Sequence, residues 1–547
     1  IFKNNFFNKL NAYLNIESNQ ELILWMSMLL IVFFIFKNIF SILVLYFQSR
    51  LIFTKRSIQG RKLFQLYMNA PFIYHLNHNT AELDRNIRFE STNVFGFFQS
   101  FLLFCSNAFL TISIFVVLMI ANWQAVLGMS FFIIIFSTLF LFFSGKYSTN
   151  YGFEVQASQL HIGQSMKEGL SSIIESKLNQ IESFFPNRYF KHMMSNARAN
   201  WSQATLGTAP IYFFEILAVG ALVGVILVLF INETDINSVL PILGLFSFAF
   251  IRIIPSVTGM IKNLQQIKFL APAVDVIFKD FKDLDRISKN SKIINKSKVD
   301  KIDFKNLIIN DVSFSFSKKK ILKNISLDLH KGQAIGITGP SGSGKTTLIN
   351  LILGLFSPDT GEVHLNGKKL DNNLHNWYSL IGYVPQSITL IDASIRENIA
   401  LGIKEDEIDN KKIWAVLKDA NLTTFVKDMP KQLDTLIGEN GVRLSGGQRQ
   451  RLGLARALYR DPEVIIFDEA TSSLDVETEK RITKEIMGLT GKRTLIIVAH
   501  RLSTIKDCEK IYFIKEGEIM NSGTFKELQK LNNDFKQISS QSEVGFG

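Results

Sequence analysis

Five stretches of this chain, approximately 22–48, 95–121, 124–144, 210–231 and 239–261, are rich in Phe, Ile, Leu and Val. Each is close to the ~20 apolar residues that a helix needs to cross a bilayer. Hydrocarbon offers no hydrogen bonds, so stretches of this kind can cross it only as helices, whose backbone groups satisfy one another. Two of the connections are short, 121–124 and 232–237, and predict helical hairpins 95–121/124–144 and 210–231/239–261. The other two are long. Residues 49–94 carry Arg50, Lys55, Arg56, Arg61 and Lys62, and residues 145–209 carry Lys146, Lys167, Lys177, Arg188, Lys191 and Arg198. Basic loops stay on the cytoplasmic side. Both long loops are therefore expected inside and the short ones outside. The long loops also hold apolar residues at helical spacing, as in 169–178, so they predict helices that continue beyond the bilayer.

A chain of 547 residues exceeds one hydrophobic core. Its composition divides at about residue 270. Residues 1–270 form the apolar half, 271–300 a linker rich in Lys, Asp, Ser and Asn, and 301–547 an α/β domain. The mean hydropathy of +0.17 averages these unlike parts. Sixty Lys and Arg against 48 Asp and Glu leave a net charge of +12. The basic residues are scattered and no nucleic-acid motif accompanies them. They fit loops beside anionic lipid rather than a nucleic-acid partner. The two cysteines, Cys105 in an apolar stretch and Cys508 far from it, predict no structural disulfide and fit a reducing cytosol.

The polar half carries phosphate chemistry. Gly339-Pro340-Ser341-Gly342-Ser343-Gly344-Lys345-Thr346 follows the apolar run 335–338 and fits GxxxxGK[ST]. Glycines there let backbone N–H groups face phosphate oxygens, and the helix that follows presents its positive end. Lys345 is expected to neutralise the β- and γ-phosphates and Thr346 to reach Mg2+, with Gly339, Ser341, Gly342, Ser343, Gly344 and Thr347 completing the cradle. Asp468 closes the strand-like run 464–467, where a carboxylate can hold Mg2+ directly or through water. Glu469 beside it is placed as general base for the attacking water.

With Leu444-Ser445-Gly446-Gly447-Gln448 between these motifs, the segment from about 302 to 535 resembles the ATP-binding cassette of an ABC transporter. That resemblance implies ATP and Mg2+ as ligands and further roles. His500, after the apolar run 495–499, matches the switch histidine. Gln386 in Tyr383-Val384-Pro385-Gln386 matches the Q-loop, which also touches Mg2+. Asp475 matches the D-loop, and Phe316 stands where an aromatic stacks on adenine. Ser445, Gly446, Gly447 and Gln448 would close on the ATP of a second chain, so the expected assembly is a homodimer with two shared sites, a heterodimer being the alternative. The 435–441 segment before the signature is similar to the exporter X-loop. The layout resembles an exporter-type (type IV) half-transporter. The implied fold is a six-span α-helical membrane domain fused to an α/β P-loop cassette, with the first span missing here and residues 1–21 as the loop after it. A genuine five-span chain is the alternative. Short coupling helices are expected near 72–80 and 171–182, with the cassette in the cytoplasm of a bacterial inner membrane.

The substrate is less legible. Lys37, Glu215 and Arg252 are charges inside apolar stretches, and such charges usually face a cavity or a partner. Glu215 and Arg252 lie at similar depth. They predict either an ion pair or, with Lys37, a cavity for an anionic headgroup. The segments 230–236 and 250–256 are similar to the bacterial flippases of lipid-linked oligosaccharides, although Ile211 and Gly259 are neutral where those carry basic residues. The expected cargo is a lipid-linked oligosaccharide or another glycolipid. A peptide or drug exporter is the second reading, and an ATP-gated channel or regulator the third.

Overall fold

All five apolar stretches lie in helices, as backbone satisfaction in lipid requires. The computed structural model describes residues 19–231, 236–290, 302–316, 319–469, 476–499 and 501–544. It divides into two units, Ile1–Ala70 with Tyr74–Asn290, and Pro71–Ile73 with Ser291–Gly547.

In the first unit α1 runs over Asn19–Met68, α2 over Ser91–Ser171, α3 over Phe184–Ile231 and α4 over Ile236–Asn290. Helix α2 is assigned without a break over 81 residues, yet it turns back on itself. Gly96 lies against Leu270 and Gly152 against Phe269. In a straight helix these glycines, 152 − 96 = 56 positions apart, would be separated by roughly 80 Å at 1.5 Å per residue. The 91–120 and 130–171 arms therefore form the first expected hairpin, and both lie on α4. Leu118 on the first arm, Phe214 on α3, and Ile253, Val257 and Ile261 on α4 share one core. Among the described residues, Ile23–Met68 and Thr80–Ile120 are long and apolar enough to cross a bilayer. The other expected spans fall partly on residues whose side chains are not described.

Beyond the apolar stretches the helices continue, as the spacing predicts. The 145–171 arm and the start of α3 run antiparallel. Arg188 pairs with Glu168 at 2.7 Å, Ser195 donates to Glu154 at 2.7 Å, and the His161 and His192 rings stack at 4.7 Å. Short helices occupy Phe72–Asn77 and Ile173–Leu178, inside the two segments expected to hold coupling helices. The expected linker over 271–300 is corrected in its first part. Helix α4 extends to Asn290, and Ala273, Ile277 and Leu284 are buried with Leu63, Tyr67 and Leu83. The apolar positions recur at helical spacing among Lys and Asp, so the segment packs although it lacks an apolar run. Residues 291–301 lie outside the described set.

The second unit holds two sheets. β1 (Asn306–Phe316), β2 (Lys319–His330), β4 (Thr360–Leu365) and β5 (Lys368–Lys369) form an antiparallel sheet in the order β2-β1-β4-β5. The other is ordered β10-β9-β3-β8-β7-β6, from β3 (Ala334–Thr338), β6 (Ile381–Val384), β7 (Val464–Asp468), β8 (Thr494–Val498), β9 (Lys510–Lys515) and β10 (Glu518–Gly523). β3, β7 and β8 are buried at every position, so they read as continuous apolar runs rather than alternations. β6, β7, β8 and β3 pair in parallel, which brings their carboxyl ends to one edge.

A tight glycine contact in the first unit gives a direct test. A Cβ on Gly152 would fall 2.1 Å from the Phe269 carbonyl oxygen. Gly152→Ala is therefore expected to destabilise the helical unit by about 1–3 kcal/mol through overpacking. Gly60→Ala on α1, where a Cβ meets nothing within 4 Å, should not. Thermal unfolding in detergent compares the two; equal melting would show that α2 and α4 do not approach this closely.

Candidate functional site

The edge where β3, β8, β7 and β6 end carries the phosphate motifs. β3 finishes at Thr338, whose hydroxyl donates to the Ala499 carbonyl at 3.0 Å, and the chain then enters the glycine loop. Gly339 has φ 155°, and a Cβ on it would lie 1.9 Å from the Ile514 carbonyl oxygen. Gly344 has φ 102° and caps α5 (Lys345–Ile352) with no side-chain hydrogen bond. The first-turn N–H groups of a helix have no intrahelical acceptor, and a glycine cap leaves them to an anion. Among the described residues, Ser343 Oγ is buried without a hydrogen-bond partner. Lys345 is only 5% exposed, and its Nζ donates to the carbonyls of Gly339 at 2.9 Å and Pro340 at 3.0 Å. Burial pulls its pKa below the usual lysine value, opposed by Glu469 and Asp468. Two neutral acceptors poorly compensate a buried ammonium, whereas phosphate oxygens would complete it. Thr346 is exposed in the first turn and Thr347 half-buried. An orphan hydroxyl, a buried cation and open helix N–H groups fit a nucleotide phosphate.

At the end of β7, Asp468 is 6% exposed. Its Oδ2 accepts from the Tyr383 hydroxyl at 3.1 Å. Burial raises its pKa, with Glu469 adding to the rise and Tyr383 and Lys345 opposing it. Glu469 follows with φ 50°, an uncommon left-handed backbone for a residue with a Cβ. Its N–H donates to the Val498 carbonyl at 3.0 Å, and its Oε2 accepts from Gln386 Nε2 at 2.7 Å. Two expected catalytic residues from distant parts of the chain thus meet directly. For Mg2+, the exposed Thr346 hydroxyl, the buried Asp468 carboxylate and Gln386 are the fitting groups. No cluster of three or more His, Cys, Asp or Glu occurs among the described residues. Mg2+ needs only one or two carboxylates beside phosphate and water, so the donor set suits it. Such an ion would supply positive charge that offsets the negative charge of the phosphates. His500 and Asp475 lie outside the described residues.

The signature segment is a helix start. Ser445 caps α6 (Gly446–Tyr459) in a reciprocal box: its Oγ accepts from the Gln448 N–H at 3.2 Å, and Gln448 Oε1 accepts from the Ser445 N–H at 2.7 Å. Ser445 is exposed, Gly446 and Gly447 are half-buried, and a Cβ on Gly446 would meet nothing within 4 Å. The segment therefore offers an open, positive helix end. Arg456 on the same helix donates to the carbonyls of Asn398 at 2.7 Å and Thr389 at 2.8 Å, tying α6 to the segment beyond Gln386.

Phe316, at the end of β1, is half-buried and meets Phe314 and Phe356 edge-on at centroid distances of 5.1 and 5.4 Å. It belongs to an aromatic cluster and keeps a partly exposed ring. In the first unit Lys37, Glu215 and Arg252 are all exposed. Glu215 and Arg252 form no ion pair with each other among the described residues, which corrects that expectation. The preceding Phe214 and the following Ile253 are buried in the core, 3% and 7% exposed, which turns their charged neighbours about 100° away.

Tyr383, Arg456 and the Glu479–Arg501 pair, to which Thr504 also donates at 3.1 Å, were not read as site residues from the sequence. Each acts through a partner 22 to 85 positions away, and no local spacing announces that.

Comparison with known proteins agrees with this geometry. Residues 322–472 match the family described as ABC transporter. The chain is 30% identical over 484 residues to the ATP-dependent lipid A-core flippase of Francisella tularensis subsp. tularensis (strain FSC 198), covering 86% of this chain and 77% of that one. It is 39% identical over 262 residues to a multidrug resistance ABC transporter ATP-binding and permease protein of Lactococcus lactis subsp. lactis (strain IL1403), covering 47% of this chain and 44% of that one. The chain thus spans under half the length of the Lactococcus protein. The solved structure of a bacterial Atm1-family ABC exporter with ATP bound superposes with a TM-score of 0.76 at 20% identity, covering 97% of this chain and 93% of that one, a likeness of fold. Helical domain first and cassette second, with the phosphate motifs gathered on one sheet edge, this chain belongs to the ABC transporter family as an exporter-type member.

Proposed function

We propose that this chain is a half-transporter that couples ATP hydrolysis to export or flipping of an amphipathic substrate across a bacterial inner membrane, with its cassette in the cytoplasm. The observation that carries the hydrolytic part is the meeting of Gln386 with Glu469 beside buried Asp468. Lys345, Ser343, Thr346 and Thr347 hold the phosphates, Thr346 and Asp468 serve Mg2+, and Glu469 orients and deprotonates the attacking water. His500 and Asp475 are assigned here by motif alone. The exposed Ser445 end of α6 supports a second copy supplying the signature to each ATP. Ile173, Ile174 and Leu178 expose apolar side chains on the short helix between α2 and α3, which suits a surface for docking on a cassette. The cargo that fits best is a phosphate-bearing glycolipid, either a lipid-linked oligosaccharide or a lipid A-type molecule such as the Francisella relative's name gives. Its contact residues would be Lys37 and Arg252. A drug cargo is favoured by the Lactococcus relative's name alone.

Glu469→Gln should retain ATP binding and lose hydrolysis by at least ~10²-fold. Lys345→Ala should weaken nucleotide binding itself. Equilibrium binding beside phosphate release reads both, and near-normal turnover of Glu469→Gln would remove it as the base. Mixing a Ser445→Arg chain with a Lys345→Ala chain should create heterodimers with one intact composite site. Their ATPase is expected to exceed that of either mutant homodimer, and no recovery in a verified mixed dimer would contradict shared sites.

For the cargo, ATPase stimulation and flipping in proteoliposomes are measured with lipid-linked oligosaccharide, lipid A, peptides and drugs. Arg252→Ala should abolish stimulation by the anionic glycolipid. Because Arg252 and Glu215 are not paired, thermal stability should hold, and adding Glu215→Ala should not restore flipping. Restoration in the double variant would defeat the headgroup role. Currents or ungated flux without vectorial transport would favour the channel reading.

A further inference from the structure

The residue before Val384 is a tyrosine on a buried-edge strand, where phenylalanine would pack equally well. Tyr383 lies on β6, paired in register with Ile466 of β7, and its half-buried ring reaches beyond that pairing. Its hydroxyl ends 3.1 Å from Asp468 Oδ2. Three residues further along the same segment, Gln386 Nε2 donates to Glu469 Oε2 at 2.7 Å. One four-residue stretch, 383–386, therefore places a donor on each of the two adjacent carboxylates at the end of β7.

We propose that Tyr383 is a positioning residue for the metal, its hydroxyl holding Oδ2 of Asp468 so that the remaining oxygen, Oδ1, is the one presented to Mg2+. This rests on the reading of Asp468 as the Mg2+ carboxylate. The chemistry follows from burial. Asp468 is enclosed, and an ionised carboxylate removed from water requires donors. The phenol is a neutral donor, so it satisfies one oxygen without cancelling the negative charge that attracts the cation. A carboxylate held through one oxygen has its rotation about the Cβ–Cγ bond restricted, which lowers the ordering cost of binding a demanding octahedral ion. Gln386 and Tyr383 further make the metal carboxylate and the base respond to the same strand end. A shift of the 383–386 segment would release both.

The test uses the full chain in nanodiscs and a non-hydrolysable ATP analogue, AMP-PNP, so that binding rather than turnover is read. Analogue affinity is measured as Mg2+ is titrated, and again in EDTA. Tyr383→Phe keeps the ring and removes the donor. It should raise the half-saturating Mg2+ concentration about tenfold, in line with a hydrogen bond to a charged group, while affinity in EDTA and thermal unfolding stay as in the parent. An unchanged Mg2+ requirement, or equal weakening with and without Mg2+, overturns the proposal. In an Asp468→Asn background Tyr383→Phe should add nothing; a full tenfold effect there means the hydroxyl acts elsewhere and also overturns it. If Asp468→Asn alone leaves the Mg2+ requirement unchanged, the reading of Asp468 fails first and the role of Tyr383 falls with it.

Discussion

The parallel pairing of β6, β7, β8 and β3 is the constraint on which the nucleotide site depends. Parallel strands share a direction, so the loops leaving their carboxyl ends emerge on one edge, where α/β proteins bind ligands. Residues from 339 to 469 are thereby gathered. The glycine loop follows β3, Asp468 ends β7 with Glu469 directly after it, and the segment with Gln386 follows β6, while β8 ends beside them at Val498. The register of β7 with β8 sets Asp468 opposite Val498, whose carbonyl then accepts the Glu469 N–H at 3.0 Å. The left-handed backbone at Glu469 is held by that bond and by Gln386 on its side chain. Strain at a residue read as the base agrees with the tendency of unusual backbone to persist where function fixes it.

The helical unit solves a different problem. Its helices must be long enough to cross hydrocarbon and continue into water, so their packing changes character along their length. Toward the apolar stretches the contacts are Leu118, Phe214, Ile253 and Val257. Further along, hydrogen bonds and ion pairs take over, such as Ser195 to Glu154 and Arg188 to Glu168. A polar group of buried Tyr67 and Asn86 with half-buried Asp280 joins α1, the helical turn Asn86–Glu90 that leads into α2, and α4, with Asn86 Nδ2 donating to Asp280 Oδ2 at 2.8 Å. Such networks fix one arrangement of helices because any shift leaves buried donors unpaired.

Charge placement distinguishes structure from candidate function in the same unit. Arg85 and Glu90 are both buried and pair at 3.5 Å, so they hold the fold. Arg252, Lys37 and Glu215 are exposed. Charges left exposed within apolar helices are costly in lipid, and they are tolerated where a watery cavity or an anionic partner meets them. That contrast is what supports a headgroup contact over a structural pair.

The sequence by itself determined the local chemistry: which stretches are helices, because backbone in hydrocarbon has no other choice, and where the chain forms a phosphate-type loop and helix start, because glycine, lysine and hydroxyl spacing encode them. It also marked Asp468 and Glu469, adjacent in the chain and therefore legible together. Three things were decided only by tertiary structure. The helical extension to Asn290 was hidden because its apolar positions are spread among charges rather than run together. That Arg252 does not pair with Glu215 among the described residues depends on how α3 and α4 rotate to bury Phe214 and Ile253. The hold of Tyr383 on Asp468 links positions 85 residues apart, across a strand pairing that no local spacing in the chain can express.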